Sequence, residues 1–203
     1  MATTIDFIFD FASPNAYLVH KPLAGIAKRT GARVNLIPCL LGGIFKSTNN
    51  QAPMMAFGNV KGKLDYDRLE MMRFIEKHGL TAFRMNPHFP VNTVILQRGA
   101  LAAEREGNLA AYVDAGLKAM WEDGLKMDDP VVFAKAMTDA GLDGAALLEA
   151  TQDPVIKQSL IENTAAAVER GAFGIPTFYV GKEMFFGKER LDQVEEEVQR
   201  QSL

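Results

Sequence analysis

The chain has 203 residues, of which 48% are hydrophobic and 23% are charged, and its formal net charge is −3. This length is enough to bury a full core, so we expect one domain, or one domain with a large insertion. The slight negative charge and the lack of any Lys/Arg-rich run argue against nucleic acid as a partner. No apolar run is long enough to cross a membrane, and the first residues lack the features of a secretory signal. We therefore expect a cytoplasmic protein.

Cysteine and histidine are scarce. The single cysteine, Cys39, excludes an intramolecular disulfide and any metal site built from several cysteines. It follows an apolar strand pattern, which predicts a buried, small hydrophobic residue. The histidines His20, His78 and His88 have no metal-ligand spacing, so we expect no metal site.

The N-terminal stretch predicts a strand that runs into a helix. Residues 5–9 are rich in Phe and Ile, and Ser13-Pro14 is typical of an N-cap followed by proline at the first helical position. Apolar residues then recur at helical spacing to about residue 29, and Arg33–Ile37 reads as a second strand, which completes a βαβ unit. Because a helix N-terminus favours an anion, Ser13 is either a simple cap or part of an anion site.

The middle of the chain is predicted to be a long loop followed by helices. Glycines, a Ser-Thr-Asn-Asn run and a proline within residues 41–63 indicate an irregular loop. Its lysines at positions 46, 61 and 63 make it either a lid over an anionic ligand or a solvated loop. Periodic apolar residues then predict helices over 64–78, 93–106, 109–120, 130–140, 144–150 and 154–170.

The last forty residues return to a sheet pattern. Gly181-Lys182 separates two short apolar strands, 177–180 and 183–186, as in a two-residue hairpin, and a charged helix follows over 188–199. The order is βαβ, a block of helices, and then ββα. It is not a Rossmann repeat, and no Gly-rich phosphate loop follows the first strand.

This order, with Ile175-Pro176 directly before the third strand, resembles the cis-proline loop of the thioredoxin superfamily. In that superfamily the loop faces the N-terminus of the first helix, where the redox cysteines normally lie. This chain has Ser13-Pro14-Asn15-Ala16 at that place, so it has no thiolate of its own there for thiol–disulfide exchange. A thiol at this position would have to come from a ligand.

Six short motifs in order carry a closer resemblance over nearly the whole chain. They are Phe9–Pro14 with Tyr17-Leu18, Pro38–Gly43, Asn50, Lys63 with Tyr66, Gly174–Phe178, and Phe186–Leu191. Together they resemble the 2-hydroxychromene-2-carboxylate isomerases and kappa-class glutathione transferases. The implied fold is α/β, thioredoxin-like (DsbA-like), with the order βαβ…ββα. Residues 1–40 and 171–203 would form the thioredoxin-like domain, and 41–170 would form a loop plus an all-helical insertion domain.

The resemblance implies glutathione as the cofactor and Ser13 as the catalytic residue. Ser13 matches the serine that donates a hydrogen bond to the glutathione sulfur, and the backbone at Ile175, before Pro176, matches the segment that pairs with the cysteinyl unit. Lowering the thiol pKa from about 8.5 by about two units requires roughly 2.7 kcal/mol. One hydrogen bond to a charged group, about 1.5–3 kcal/mol, and a helix N-terminus, about 0.3–2 kcal/mol, supply that amount.

Four further residues are assigned to glutathione by the same resemblance. Asn50 and Lys63 match residues that hold polar groups of the peptide. The Lys188-Glu189 turn matches the segment that binds the γ-glutamyl end, although the family usually has Asp where this chain has Glu189. The resemblance also implies a homodimer.

The reaction implied by the isomerases starts from 2-hydroxychromene-2-carboxylate, which opens to an unsaturated 2-oxo acid. Addition of the thiolate allows rotation about the former double bond, and its expulsion leaves trans-o-hydroxybenzylidenepyruvate and unchanged glutathione. For this small aromatic carboxylate we predict contacts with Phe11, Tyr17 and Asn86, with Phe57 and Phe89 as further apolar walls. A core role is the competing interpretation of each aromatic residue.

Two other functions are open at this stage. A kappa-like glutathione transferase or peroxidase would consume glutathione, whereas an isomerase returns it. A thioredoxin-fold module without its cysteines would only bind a partner, and it would bind no glutathione.

Overall fold

The computed structural model describes residues 2–202 and contains one four-stranded sheet in the order β2-β1-β3-β4. β1 (Thr4–Phe9) pairs in parallel with β2 (Arg33–Pro38) and antiparallel with β3 (Thr177–Val180). β3 in turn pairs antiparallel with β4 (Glu183–Phe186). The predicted βαβ unit and the C-terminal hairpin are confirmed, and the two ends of the chain share one mixed sheet.

The first helix, α1 (Pro14–Thr30), begins and ends as its sequence predicts. Ser13 is its N-cap, with extended backbone angles of φ −92° and ψ 115°, and proline at the first helical position needs no N–H partner. Gly31 ends the helix at φ +74°, where its N–H donates to the Ala27 carbonyl. The helix runs through Pro22 without interruption.

The remaining helices fill the space between β2 and β3 and close the chain. They are α2 (Leu41–Thr48), α3 (Pro53–Ala56), α4 (Lys63–His78), α5 (Val94–Arg105), α6 (Leu109–Trp121), α7 (Pro130–Asp139), α8 (Gly144–Ala150), α9 (Pro154–Glu169) and α10 (Leu191–Gln201), with a 3-10 turn at Lys188–Arg190 before α10. The helices predicted from residue 64 onward are confirmed to within a few residues at each end.

The prediction of an irregular loop over residues 41–63 is wrong in part, because α2 and α3 lie within it. Gly42 and Gly43 lie within α2 and do not mark a loop. A Cβ at Gly43 would lie 3.0 Å from Cγ2 of Thr164 on α9, so this glycine allows α2 to approach α9 closely. Asn49, in the left-handed conformation at φ 56°, ends α2.

The core is built around β1, in which Ile5 and the three consecutive residues Phe7, Ile8 and Phe9 are almost fully buried. Burial of neighbouring residues means that both faces of this strand are covered. The Phe7 ring stacks on Phe178 of β3 with centroids 5.2 Å apart. Within the described part of the chain, no helix has the length and apolarity needed to cross a bilayer.

Phe11 joins the sheet to the helical block. Its fully buried ring meets Phe9 edge-on at 5.4 Å and Tyr112 of α6 at 6.0 Å. A Cβ at Gly116 of α6 would lie 2.5 Å from its ring, so a glycine is needed at this contact. The carbonyl of Phe11 accepts a hydrogen bond of 2.9 Å from Nε1 of Trp121. The loop before α1 is therefore fixed from the helical side as well as from the sheet.

Candidate active site

Ser13 lies where β1 gives way to α1, and its side chain links this junction to a distant part of the chain. The residue is 4% exposed. Its Oγ accepts a hydrogen bond from the Ala16 N–H at 3.3 Å and donates one to the Ile175 carbonyl at 3.2 Å. Both distances are at or beyond the long end of ordinary hydrogen bonds. The hydroxyl is thus held at a helix N-terminus by two weak contacts.

The Ile175-Pro176 peptide bond is cis, as the resemblance predicted. The Pro176 carbonyl accepts from the Gly187 N–H at 3.0 Å, which fixes the segment against the end of β4. Gly174 precedes it because no side chain fits there: a Cβ would lie 2.8 Å from the Phe186 ring. Within the described residues, the Ile175 N–H makes no hydrogen bond, so this backbone edge has a free donor beside Ser13.

Asn50 is placed next to the same segment. It follows the left-handed Asn49 that ends α2, and its Nδ2 donates to the Phe173 carbonyl at 2.7 Å. Phe173 is two residues before Ile175 in the loop that reaches Ser13. The structure therefore brings Ser13, Ile175 and Asn50 to one region, although they come from three separate parts of the sequence.

Lys63 is engaged elsewhere in this structure. It is the first residue of α4, and its ammonium group pairs with Asp67 one turn later. The same Nζ lies 5.2 Å from the centroid of the Phe57 ring, within the range of a cation–π contact. Neither contact joins Lys63 to the residues around Ser13, so its assignment to glutathione remains a prediction.

Lys188 and Glu189 lie in the turn between β4 and α10. Lys188 is 5% exposed, its ammonium pairs with Glu189, and its Nζ lies 5.5 Å from the Phe74 ring centroid. The two residues border a depression of about 210 Å³ between this turn and α4, whose other lining residues are Glu70, Arg73, Phe74, Lys77, His78, Leu191 and Asp192. Burial lowers the pKa of His78 there.

Two of the residues predicted to touch the substrate are buried in the interior of this structure. The Phe11 side chain is fully buried in the contact with α6 and borders no open surface. Asn86 is 4% exposed, and its Nδ2 donates to the carbonyls of Met120 and Leu125, at 2.9 Å each. In this structure Phe11 packs in the core, and Asn86 holds backbone carbonyls at and just after the end of α6, so a contact of either residue with a substrate stays a prediction.

Tyr17, the third predicted substrate residue, is 4% exposed and packs in an aromatic cluster. Its ring centroid is 5.7 Å from that of Phe83, and its hydroxyl donates to Glu122 at 2.9 Å. Burial, followed by the bond to Glu122, raises the pKa of Tyr17 well above its usual range. Tyr17 also borders a groove of about 440 Å³ between α1 and α6, which it lines with His20, Lys21, Ala24, Asp114, Leu117, Lys118 and Glu122.

Asp10 is a buried residue of this region to which sequence analysis gave no role. Its Oδ1 accepts from the Ala12 N–H at 2.9 Å and from Oγ1 of Thr93 at 2.6 Å, and its Oδ2 accepts from the Leu41 N–H at 2.8 Å. Burial raises the pKa of this carboxyl group. The available signal was an acidic residue directly after an apolar strand and three positions before Ser13, a place where a surface loop is the default interpretation.

Cys39 is buried, as predicted. Its Sγ donates to the Asn163 carbonyl at 3.4 Å, and burial raises its pKa to about 12. Its backbone carbonyl accepts from Nε2 of Gln97, which also donates to the Phe9 carbonyl. A thiol with this pKa is protonated at neutral pH, so Cys39 is not a ready nucleophile.

The arrangement around Ser13 favours an anion that also needs a hydrogen-bond donor. The N-terminus of α1 supplies the Asn15 N–H, which makes no hydrogen bond among the described residues, and the positive end of the helix dipole. The hydroxyl of Ser13 supplies the donor, and the free Ile175 N–H extends the site along the backbone. An anionic ligand that accepts hydrogen bonds fits these requirements better than a purely apolar ligand.

A family model described as a DSBA-like thioredoxin domain matches residues 4–199. The 2-hydroxychromene-2-carboxylate isomerase of Pseudomonas sp. (strain C18) is 30% identical over 96% of this chain and 89% of its own length. A solved structure of a 2-hydroxychromene-2-carboxylate isomerase superposes with a TM-score of 0.82 at 28% identity, over 98% of this chain and 96% of that one. The human glutathione S-transferase kappa 1 is 26% identical over 93% of this chain and 87% of its own length. The chain therefore belongs to the DsbA-like thioredoxin family, in the branch that holds the 2-hydroxychromene-2-carboxylate isomerases and kappa-class glutathione transferases.

Proposed function

We propose that this protein is a glutathione-dependent cis–trans isomerase that converts 2-hydroxychromene-2-carboxylate to trans-o-hydroxybenzylidenepyruvate in the degradation of aromatic compounds. The observation that carries the proposal is the Ser13 hydroxyl at the N-terminus of α1, within 3.2 Å of the carbonyl that precedes the cis proline. The similarity to isomerases over nearly the whole chain supports the reaction, and the kappa-class relatives support glutathione.

The residues around Ser13 fit glutathione by three features. Ser13 provides a hydroxyl donor, and the Ile175 N–H provides a free backbone donor for a peptide group. Asn15, in the first turn of α1, has a buried Oδ1 that finds no partner among the described residues, and a peptide N–H would satisfy it. Asn50, Lys63, Pro176, Lys188 and Glu189 complete the proposed glutathione set.

Bound glutathione would supply a thiol whose ionised form adds reversibly to a carbon–carbon double bond and so permits rotation about it. Ser13 would stabilise that ionised form through a hydrogen bond worth about 1.5–3 kcal/mol. The N-terminus of α1 would add about 0.3–2 kcal/mol. Because the Ser13 hydroxyl donates to Ile175 in the present structure, it must turn toward the sulfur when the ligand binds.

A kappa-like glutathione transferase is the second candidate, favoured by the similarity to the human kappa enzyme. The two activities differ in stoichiometry, since the transferase consumes one glutathione per product whereas the isomerase returns it. Turnover of many substrate molecules per glutathione would therefore support the isomerase, and stoichiometric loss of free thiol would support the transferase.

The test is a glutathione titration of the wild-type protein and Ser13→Ala, followed by the ultraviolet absorbance of the thiolate. We expect saturable binding with a lowered thiol pKa in the wild type, and a thiol pKa close to that of free glutathione in the variant. Conversion of 2-hydroxychromene-2-carboxylate is then measured at substoichiometric glutathione. If the wild type binds no glutathione, both enzymatic candidates fail, and a non-catalytic binding module is left.

We also propose that the protein is a homodimer and that α3 and α4 form its interface. Exposed apolar side chains are concentrated in these two helices and the segment between them: Met54, Met55, Phe57, Val60, Tyr66, Leu69 and Met72. Those of α4 recur every three residues along one side of the helix, as in a packed face. Leu69→Glu should give a monomer in sedimentation equilibrium, whereas the same change at the exposed Val131 of α7 should not. A cytoplasmic location accompanies the proposal, since glutathione is kept reduced in that compartment.

A further inference from the structure

Asp10 is a buried carboxylate that joins three segments around Ser13. It is 1% exposed. Its donors come from its own loop, from the start of α2 and from the start of α5, namely the Ala12 N–H, the Leu41 N–H and the Thr93 hydroxyl. Among the described residues, no lysine or arginine pairs with it, so hydrogen bonds alone compensate the loss of water.

Neither helix that Asp10 touches is capped by the side chain of the residue directly before it, although Asn92 accepts from the Val94 N–H of α5 at 3.0 Å. Leu40 precedes α2 and has no side chain that can accept a hydrogen bond, so the carboxylate of Asp10 takes this place by accepting from the Leu41 N–H. Thr93 stands at the N-cap position of α5, yet its side chain makes no cap bond and donates to Asp10 at 2.6 Å. A threonine of this kind normally stabilises its own helix by about 1 kcal/mol. Here its hydroxyl holds Asp10 instead.

The bonds of Asp10 constrain the position of Ser13 directly. The Asp10 carbonyl accepts from the Ser13 N–H at 3.0 Å, and its Oδ1 accepts from the Ala12 N–H at 2.9 Å. These two contacts close the turn that presents the Ser13 hydroxyl. The contacts of that hydroxyl itself are long, at 3.2 and 3.3 Å, so its placement depends on the turn more than on its own bonds.

The same carboxylate constrains α2, whose far end leads to Asn50. Asn50 donates to the loop that ends in Ile175, on the opposite side of Ser13. One buried carboxylate therefore sets the turn of Ser13 and the start of the helix that leads to Asn50. Burying a charge without a basic partner is unfavourable, and an apolar residue would fill the same space at lower cost.

We propose that Asp10 is a positioning residue, which acts through Ser13 and α2 to place the Ser13 hydroxyl against the sulfur of bound glutathione. The inference rests on the proposed function, because it concerns the geometry of that same site. Asp10 does not touch the reacting atoms in this scheme. Its effect is on the ionisation of the bound thiol, since a donor displaced from the sulfur no longer stabilises the thiolate.

Two variants separate positioning from simple structural support. Asp10→Asn keeps the size of the side chain but turns one acceptor into a donor, which cannot accept from both Leu41 and Thr93. Thr93→Val keeps the carboxylate and removes one of its three donors, and Thr93→Ser restores that donor. Thr151→Val is the matched control, because Thr151 is also fully buried and donates to a backbone carbonyl, that of Leu148, but it lies at the end of α8.

The measured quantities are the dissociation constant of glutathione, the thiolate fraction of bound glutathione from its ultraviolet absorbance, and the free energy of unfolding in urea. We expect Asp10→Asn to lower the thiolate fraction about tenfold at a pH below the thiol pKa, which corresponds to about 1.4 kcal/mol. Thr93→Val should lower it severalfold, and Thr93→Ser should restore it. Thr151→Val should lower stability alone.

The proposal is overturned if the Asp10 and Thr93 variants lose stability while bound glutathione keeps its wild-type thiolate fraction. That result would leave the proposed function standing. Absence of glutathione binding by the wild type would instead overturn both. If Asp10→Asn does not fold, the Thr93 pair decides the question, because Thr93→Val retains the carboxylate and two of its three donors.

Discussion

Replacing Ser13 by alanine should remove most of the activity and little of the stability. The hydroxyl makes two hydrogen bonds, of 3.3 Å from Ala16 and 3.2 Å to Ile175, and both are long. Bonds of this quality contribute about 0.5 kcal/mol each, at the low end of the range for caps and neutral pairs. The free energy of unfolding should therefore fall by about 1 kcal/mol.

The loss of catalysis should be larger, because the hydroxyl would act on a charge. A hydrogen bond to a charged group contributes about 1.5–3 kcal/mol, so turnover should fall about 10- to 150-fold. The assay is the initial rate of 2-hydroxychromene-2-carboxylate conversion at saturating glutathione, measured beside urea unfolding of the same protein. Saturating glutathione separates a defect in thiolate formation from a defect in binding.

Asp129→Ala is the matched control for the cap. Asp129 caps α7 by accepting from the Val131 and Val132 N–H groups, and it lies in the helical block. Its loss should cost about 1 kcal/mol of stability and leave turnover unchanged. Wild-type turnover by Ser13→Ala, or an equal loss of turnover in both variants, would refute the role given to the hydroxyl.

Three further predictions concern the scaffold. Gly116→Ala should lower the free energy of unfolding by about 1–3 kcal/mol in urea titrations, because the new Cβ would lie 2.5 Å from the Phe11 ring. Cys39 should resist a thiol reagent in the native protein and react only in denaturant, since burial raises its pKa to about 12; rapid native labelling would contradict this. The hydrogen bonds from Arg29 lower the pKa of Glu195, so their stabilising effect should be present at neutral pH and lost as the pH falls through the lowered pKa. Glu195→Gln should thus be slightly less stable than the wild type at neutral pH and equal to it in strong acid, as measured by urea unfolding.

The fold could be predicted largely because its signals are local. The dipeptide Ser13-Pro14 predicts the start of a helix, and the dipeptide Gly181-Lys182 predicts a hairpin turn. The cis proline at position 176 became predictable only when the order of elements was considered with it. The loop prediction for residues 41–63 was wrong in part for the opposite reason. Gly43 is explained by the close contact of α2 with α9, and no local sequence pattern shows that contact.

The sequence could place the candidate site residues where backbone geometry determines their position, but not where side-chain packing does. Ser13, Ile175 and Asn50 meet as the resemblance implied, because their roles depend on the turn and the loop that carry them. An aromatic side chain close to Ser13 has no sequence signature that separates a substrate contact from a core residue, and in this structure Phe11 is fully buried. The bonds of Asp10 could not be predicted because two of its three partners, Leu41 and Thr93, lie 31 and 83 positions away.

The contact between Phe11 and α6 limits how far this protein could be reduced in size. A minimal design that keeps only the sheet, α1 and α10 would expose the Phe11 ring, and leaving a side chain of that kind in water forfeits about 1.5–3 kcal/mol. It would also take away the donors from Trp121 to Phe11 and from Gln97 to Phe9 and Cys39. The segment between β2 and β3 is therefore not a detachable addition. It packs against the turn that carries Ser13 and donates hydrogen bonds to the backbone there. Its removal would therefore leave the junction between β1 and α1 without these contacts.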